Sequence, residues 1–371
     1  MRVLVTGGAG FIGSHLVDRF LQHGYQVRVL DSLDPKIHPY GRPSIRSGVE
    51  LIRGDVTDRE ALLSALRDVD VVSHQAAYQD YMPDFSRFLH VNAAGTALIY
   101  ELIVEKKLNI KKVIVASSQA VYGEGQYACA EHGFFLPVPR SREQLLRGQW
   151  EVLCPRCEGQ AKPNLLVETH TNPYNQYAVS KLAQEKIALG LGWLHGIPTV
   201  ALRYSITQGP RQSLFNQYSG ICRIFVGRIL QEQPPIIYED GLQTRDFVHI
   251  EDVVDANMLV LEREDANFQG FNVGSGKSTT VREYADLVLQ KLGASVGSTI
   301  SGEYRRGDNR HSVSDISKLM QLGWTPKRNL SRILDDFLAW VEGIGGIPAG
   351  VKDAYGDMQR SGVVLKAGAP S

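Results

Sequence analysis

Three residues with acid–base side chains stand where they could serve one reaction. Tyr177 and Lys181 lie four residues apart at the start of a predicted helix, so their side chains share one helix face. An ammonium group beside a phenol lowers the pKa of the phenol, and a nearby serine hydroxyl, from the Ser117–Ser118 pair at the end of an apolar run, can hydrogen-bond the same substrate oxygen. These groups predict proton transfer at a substrate hydroxyl while a nicotinamide takes or gives hydride.

Three glycines near the start of the chain, Gly7, Gly10 and Gly13, lie between an apolar strand and a predicted helix. Such a turn lets the backbone approach a pyrophosphate and aims helix amides at it, although glycines in this pattern also serve packing alone. A second predicted strand ends at Asp31, where a carboxylate that binds the adenosine ribose is expected. We expect NAD rather than NADP, because a carboxylate repels a 2′-phosphate; the alternative is that Asp31 only caps a loop.

The hydrophobic pattern predicts the scaffold that positions these residues. Short strands that alternate with helices indicate an α/β fold with a doubly wound parallel sheet of the Rossmann type, whose ligand lies beyond the carboxyl ends of the strands. Asp55 and Val56 follow one such end and are placed to meet an adenine, while the small Ala76 and Ala77 follow another and leave room for a dinucleotide. Ordinary loops are the alternative for both segments. The predicted strands lie near residues 2–6, 26–30, 49–53, 69–73, 111–116 and 198–203.

The strict alternation fades after residue 204, which suggests a change of architecture. We expect residues 1–204 to form a cofactor-binding domain and residues 205–345 a second, smaller α/β substrate lobe, partly interleaved with the first. Residues 346–371 are rich in glycine, alanine and proline, and are expected to form a loosely structured tail. In the second lobe, short strands are predicted near 234–238, 245–250 and 271–274, and helices near 218–232, 251–263 and 280–292.

Composition argues against several classes of function. The 371 residues carry 40 basic and 40 acidic side chains, so net charge gives no reason to expect binding to nucleic acid or to a membrane surface. Neither a signal peptide nor an apolar stretch long enough to span a bilayer is visible, which predicts a cytoplasmic protein. Four cysteines in a chain of this length do not make a disulfide framework.

An insert at about residues 125–170 contains two motifs of possible metal ligands. Cys129 and His132 form a Cys-x-x-His sequence, and Cys154 and Cys157 form a Cys-x-x-Cys sequence. Four such ligands suit a closed tetrahedral site for structural zinc, and the insert has few apolar residues to order it otherwise. A redox pair, or cysteines that merely pack in a core, are the alternatives.

The motifs together resemble those of the extended short-chain dehydrogenase/reductases, in the group of nucleotide-sugar epimerases and dehydratases, from residue 1 to about residue 340. The resemblance implies that Ser118, Tyr177 and Lys181 are catalytic and that helices near 92–106 and 174–192 form a homodimer. It also implies NAD and a nucleotide-sugar substrate. The implied cofactor-binding residues are Gly7, Gly10, Phe11, Ile12, Gly13, Asp31, Asp55, Val56, Ala76, Ala77, Asn92, Tyr177 and Lys181, and the implied substrate-binding residues are Ser118, Arg245, Arg305 and Asp308.

Two departures from the family pattern bear on the reaction and the substrate. The dehydratases have an Asp-Glu pair after the catalytic residue, whereas this chain has Gln119 and Ala120, neither of which can ionise. Ile206 stands where the family often has an asparagine at the sugar diphosphate, and we expect Asn216 to supply a polar contact instead.

The resemblance therefore implies a redox-neutral 4-epimerase that oxidises its sugar at C4 and returns the hydride to the opposite face. Within the family, the cysteine-bearing insert together with the segments Gln208–Ser219 and Tyr238–Phe247 most resembles the epimerases of dTDP-L-rhamnose, which form dTDP-6-deoxy-L-talose. The alternatives are a UDP-sugar 4-epimerase, a reductase of 4-keto sugars and, from another class, an NAD-sensing regulator without catalysis.

Overall fold

A seven-stranded parallel sheet forms the centre of the structure, a computed structural model that describes residues 1–38, 46–80, 83–214, 220–305, 307–347, 354–360 and 362–368. The strands are β1 (Arg2–Thr6), β2 (Gln26–Asp31), β3 (Glu50–Arg53), β4 (Val71–His74), β5 (Lys112–Ser118), β6 (Tyr127–Cys129), β7 (Gly133–Phe135), β8 (Lys162–Pro163), β9 (Thr199–Tyr204), β10 (Ile206–Gln208), β11 (Ile236–Ile237), β12 (Thr244–Arg245), β13 (Phe247–His249), β14 (Gln269–Val273), β15 (Thr279–Thr280), β16 (Thr299–Ile300), β17 (Glu303–Arg305), β18 (His311–Ser312) and β19 (Val364–Lys366).

Helices cover both faces of this sheet and build most of the second lobe. They are α1 (Phe11–Gln22), α2 (Arg59–Leu66), α3 (Phe85–Phe88), α4 (Gly95–Glu105), α5 (Arg142–Leu146), α6 (Gln176–Leu194), α7 (Ile221–Ile229), α8 (Ile250–Glu262), α9 (Val281–Leu292), α10 (Ser317–Gln321), α11 (Leu330–Gly343) and α12 (Ala354–Arg360). A π-helical segment, Leu89–Ala94, joins α3 to α4.

The sheet has the order β3-β2-β1-β4-β5-β9-β14, and every neighbouring pair is parallel. This confirms the predicted Rossmann-type sheet and its six predicted strands. The placement of the strand near residue 271 in the second lobe was wrong, because β14 pairs with β9 and becomes the seventh strand of the central sheet. Phe271 and Val273 are buried in the core of that sheet, so the chain returns to the first domain after residue 205.

Side chains alternate between two apolar cores, one on each face of the sheet, because successive residues of a strand point in opposite directions. Val3 and Val5 pack with α1 and α8 on one face, whereas Leu4 packs with α2 and α4 on the other. Because all seven strands are parallel, their carboxyl ends lie at one edge of the sheet.

The second lobe has its own core, built from α7, α9 and α11 around Phe225, Tyr284 and Phe337. Small two- and three-stranded sheets surround this core, and one of them pairs β12 with β15 and β18. Among the described helices, none combines the length and the hydropathy that a bilayer crossing requires.

The expectation of a loosely structured tail was wrong for residues 354–360 and 362–368. Here α12 is followed by β19, which pairs antiparallel with β17. Met358 and Val364 are buried against Tyr238 and Ile224 of the second lobe. A tail poor in periodicity is ordered by this packing and by the strand pairing, neither of which its composition reveals.

Candidate active site

The turn between β1 and α1 has the close backbone approach that a pyrophosphate site needs. Gly7 has a φ of +66°, and a Cβ there would lie 2.8 Å from the Ala76 backbone. At Gly13 a Cβ would lie 2.1 Å from the Gly7 carbonyl oxygen, so only glycine fits. No side chain caps the first turn of α1, whose N-cap is Gly10, so the amides of that turn are left for an anion.

Asp31 ends β2 beside this turn, and local hydrogen bonds fix its carboxylate. Its Oδ2 accepts from the Ala9 amide at 3.0 Å and its Oδ1 from the Leu33 amide at 2.9 Å. Each carboxylate oxygen keeps a further lone pair, so Asp31 can still accept hydrogen bonds from a ribose. The glycine turn and the Asp31 carboxylate together fit NAD.

A single cleft of about 1730 Å³ runs past the carboxyl ends of the central strands into the second lobe. This volume exceeds what one small ligand fills and suits a dinucleotide together with a nucleotide sugar. Ile206 lines the cleft, as do twelve of the thirteen predicted cofactor residues and four of the five predicted substrate residues: Gly7, Gly10, Phe11, Ile12, Gly13, Asp31, Asp55, Val56, Ala76, Ala77, Tyr177, Lys181, Ser118, Arg245, Arg305 and Asp308.

Among the described residues predicted to bind cofactor or substrate, one, Asn92, is not part of this lining. Asn92 is fully buried in the π-helical segment, where its side chain bonds the backbone of Tyr78 and the hydroxyl of Ser180. It thus ties the loop after β4 to α6, the helix that carries Tyr177, rather than facing the cleft. Asn216 lies outside the described residues.

The three predicted catalytic residues meet where β5 ends beside the start of α6. Ser118 is the last residue of β5, and its hydroxyl is hydrogen-bonded to the phenol of Tyr177. Asn175 caps α6 by accepting from the Ala178 amide, which begins the helix just before Tyr177. The Lys181 ammonium is buried and donates to Ala116 O at 2.5 Å and to Gln184 Oε1 at 2.6 Å.

The prediction that Lys181 lowers the pKa of Tyr177 was wrong for this structure. Burial raises the pKa of Tyr177 to about 12, and the hydrogen bond with Ser118 offsets only part of that rise. The Lys181 ammonium donates its hydrogen bonds to Ala116 O and Gln184 Oε1 rather than to the Tyr177 phenol. Burial also lowers the pKa of Lys181 itself to about 7, against the opposing charge of Glu185. The spacing of the pair was visible in the sequence, whereas the burial was not.

The predicted diphosphate-binding residues lie at the second-lobe end of the cleft. The Arg245 guanidinium bonds backbone carbonyls at Thr244, Asn309 and Arg310, which fixes it against the segment that lines the cleft. Arg305 donates through Nε and Nη2 to Asp308 Oδ2, at 2.8 and 2.7 Å. Arginine suits such a position because its planar fork bonds phosphate oxygens bidentately and stays charged.

The insert brings its four predicted metal ligands together. The ligand atoms of Cys129, His132, Cys154 and Cys157 all lie within 4.8 Å of one another. Cys129 Sγ is 3.6 Å from His132 Nδ1 and 3.7 Å from Cys157 Sγ. Sulfur and imidazole ligands that converge at such distances fit a tetrahedral zinc site, and the insert's own apolar core has only three buried residues.

Two other contributors to the site were not predicted from the sequence. One is a buried ion-pair network that joins the insert to the second lobe through Arg140, Glu239 and Arg310. The other is the tail, from which Met358 and Val363 line the cleft. The pair Arg140 and Glu239 lie 99 residues apart, so no local pattern could have found them.

Comparison with known proteins agrees with this geometry. The profile of the NAD dependent epimerase/dehydratase family matches residues 3–140 and 156–274, on both sides of the middle of the insert. The chain belongs to the NAD dependent epimerase/dehydratase family.

Several relatives that resemble the chain are named as nucleotide-sugar epimerases. The dTDP-L-rhamnose 4-epimerase of Burkholderia thailandensis is 35% identical, over 92% of this chain and 94% of that protein. A putative UDP-glucose 4-epimerase of Methanocaldococcus jannaschii is 32% identical, over 92% of this chain and 98% of that protein. The solved UDP-glucose 4-epimerase of Thermus thermophilus, in complex with NAD, has a TM-score of 0.73 at 30% identity, over 92% of this chain and 99% of that one. The protein is an isomerase, an NAD-dependent nucleotide-sugar 4-epimerase.

Proposed function

We propose that this epimerase interconverts dTDP-L-rhamnose and dTDP-6-deoxy-L-talose. The observation that carries a 4-epimerisation is the meeting of Ser118, Tyr177 and Lys181 in one cleft with the glycine turn. Gln119 and Ala120 follow Ser118, and neither side chain can act as the acid or base of a dehydration. The choice of dTDP-L-rhamnose is supported by the family resemblance of the insert and by the Burkholderia thailandensis relative.

In the proposed mechanism the Tyr177 phenolate accepts the proton of the C4 hydroxyl and later returns it, while Ser118 hydrogen-bonds the same oxygen. The positive charge of a bound nicotinamide ring would favour this phenolate and oppose the rise in pKa that burial causes. The glycine turn and Asp31 would hold NAD, which would supply the acceptor for the C4 hydride and its return to the other face of the 4-keto sugar. Lys181 would hold the nicotinamide ribose. Arg245 and Arg305 bind the diphosphate and keep the nucleotide anchored while the sugar turns over.

A UDP-sugar 4-epimerase is the second candidate, favoured by the Methanocaldococcus jannaschii relative and by solved UDP-sugar epimerases of the same fold. The two candidates share every proposed catalytic step and differ in the nucleobase and the sugar. Ile206, which stands where the family often has an asparagine, lines the cleft with a side chain that has no polar atom to offer a substrate.

Proton NMR of the purified enzyme with dTDP-L-rhamnose, without added cofactor, tests the proposal. We expect the H4 signal and its coupling constants to change toward dTDP-6-deoxy-L-talose until a fixed ratio is reached. The same spectra with UDP-glucose are the control. Turnover of UDP-glucose alone would replace our assignment by the second candidate, and a need for stoichiometric NADPH would indicate a reductase.

We further propose that Cys129, His132, Cys154 and Cys157 bind one structural zinc ion and that the enzyme is a homodimer. The zinc proposal is supported by the convergence of the four ligands in a segment that has only a small apolar core. Plasma mass spectrometry should find about one zinc per chain. Replacing Cys157 by Ser should remove the metal, whereas replacing Cys222, which is buried in α7 outside the cluster, should retain it.

A further inference from the structure

The insert docks on the second lobe through one fully engaged arginine. Arg140 is 3% exposed, and its guanidinium bonds Glu239 with two parallel hydrogen bonds of 3.0 Å. Its remaining donors reach Glu124 Oε1 at 3.2 Å and the carbonyls of Trp150 and Asp308 at 2.8 Å. Every N–H of an arginine is thus used. A buried guanidinium held in this way fixes the position of the Asp308 backbone.

A second contact from the insert holds the neighbouring residues. Glu151 Oε1 accepts from Arg310 at 2.9 Å through Nε and at 2.5 Å through Nη2, and Glu151 Oε2 lies 3.2 Å from His311 Nε2. The Arg310 side chain is completely buried and also bonds Glu239 and Asp240. Residues 308–311 are therefore held from the insert side by two oppositely charged side chains, Arg140 and Glu151.

The same short segment lines the cleft on its other side. Asp308 and Asn309 are part of the cleft wall, and the carbonyls of Asn309 and Arg310 receive the Arg245 guanidinium at 2.8 and 3.1 Å. Arg305 is tied to Asp308 as well. The two arginines proposed to bind diphosphate are thus placed by a segment that the insert holds from behind.

The cluster of Cys129, His132, Cys154 and Cys157 lies close along the chain to Arg140 and Glu151, the two insert residues that contact the second lobe. Cys154 follows Glu151 by three residues, and the β6–β7 hairpin that carries Cys129 and His132 leads directly to Arg140. In an insert with so small a buried core, a metal bound by these ligands would add to the pairing of β6 with β8 in fixing the two segments of chain relative to each other.

We propose that the metal-bound insert positions Arg245 and the 308–310 segment for the diphosphate of the nucleotide sugar, with Arg140 and Glu151 as positioning residues. The inference rests on the proposed function for the ligand of the cleft and for the metal. Loss of the metal or of either contact then weakens nucleotide binding without removing the proposed catalytic groups.

The test measures the dissociation constant of dTDP by calorimetry on the full chain with its NAD, alongside zinc content, KM and kcat. Cys157→Ser removes an exposed ligand, and Arg140→Lys keeps the charge but loses the fork; Cys222→Ser and Arg263→Lys, an exposed ion-pair residue, are the matched controls. We expect Cys157→Ser to lose zinc. Each test variant should bind dTDP more weakly than wild type and should have a KM about tenfold higher, with kcat within about threefold of the wild-type value, as expected when a binding contact is misplaced. In the double variant the two effects should not multiply, because both act through the same segment.

A zinc-free Cys157→Ser protein with unchanged dTDP affinity and KM would overturn the inference, and so would fully multiplicative effects in the double variant. Glu151→Gln, which keeps size and shape, gives a second measurement should Arg140→Lys fail to fold, and it too should weaken dTDP binding. A wild-type enzyme that binds dTDP but does not turn over dTDP-L-rhamnose would overturn the sugar assignment alone, because dTDP binding does not depend on the sugar.

Discussion

Tyr177 and Ser118 carry the proton chemistry in our proposal, and the matched pair Tyr177→Phe and Tyr174→Phe separates that role from packing. Tyr174 is 47% exposed and lies three residues earlier, outside the cleft lining. Tyr177→Phe should lower kcat by about 10²- to 10⁴-fold, because it removes the group that accepts and returns the proton. Bound NAD, measured by absorbance after denaturation, should stay at the wild-type level.

Tyr174→Phe should keep both activity and NAD. A Tyr177→Phe enzyme that kept wild-type kcat would contradict the assignment of Tyr177 and would revive a role without catalysis. The glycine turn, Asp31, Ser118 and the tyrosine–lysine pair could be predicted to share one cleft from the sequence, because their motifs are local. The pKa values of Tyr177 and Lys181 could not be predicted from the sequence, since they depend on burial by residues far along the chain.

The docking of the insert as an element predicts a pH-dependent stability. Burial raises the pKa of Glu151, but hydrogen bonds from His311 and Arg310 outweigh this and lower it to about 2. The usual value is 4.5, so the unfolded chain binds the proton more tightly, and the stabilisation is complete above about pH 4.5 and is lost as the pH falls toward 2. Glu151→Gln should reduce the free energy of unfolding by about 1–2 kcal/mol at pH 7, with allowance for the exposed part of the carboxylate.

Urea unfolding at a series of pH values measures this difference. The gap between wild type and Glu151→Gln should narrow as the pH falls below about 4.5. Glu342→Gln, at an exposed position on α11, is the control and should change the free energy by less than about 0.5 kcal/mol. A gap that widened on acidification would contradict the sign of the effect.

The tail, as a second element, predicts an effect on nucleotide binding. Met358 is 3% exposed, lines the cleft and packs with Tyr238 and Ile224. Met358→Ala should raise KM for the nucleotide sugar several-fold with little change in kcat, because it opens the cleft wall without touching the proposed catalytic groups. Leu242→Ala, at a 47% exposed position of the same lobe, should leave KM unchanged.

An unchanged KM for Met358→Ala would remove the tail from the binding site.

Neither this wall of the cleft nor the seventh strand of the sheet could be assigned from the sequence. The segments near residues 271 and 364 are short apolar runs, and such a run does not reveal which sheet it will join. The six strands of the first domain were predictable because each is followed by a helix and returns to the same sheet.

At the scale of the whole molecule, the outer faces of α4 and α6 predict the assembly. These two helices pack against each other, and Val104 on α4 and Val179 on α6 are 41% and 42% exposed. Apolar side chains on neighbouring helices of one face suit an isologous interface between two copies of the chain. Light scattering should therefore give about twice the chain mass of 41.1 kDa.

Replacing Val104 and Val179 together by Glu should convert this dimer to the 41.1 kDa monomer, because a twofold axis brings each introduced charge near its symmetry-related copy and leaves it without a partner. The control is Leu230→Glu, since Leu230 is 50% exposed but follows α7 in the second lobe. Circular dichroism should show the same helix content for both variants. A wild-type monomer would contradict the proposed dimer, and a double variant that stayed dimeric would place the interface on another face.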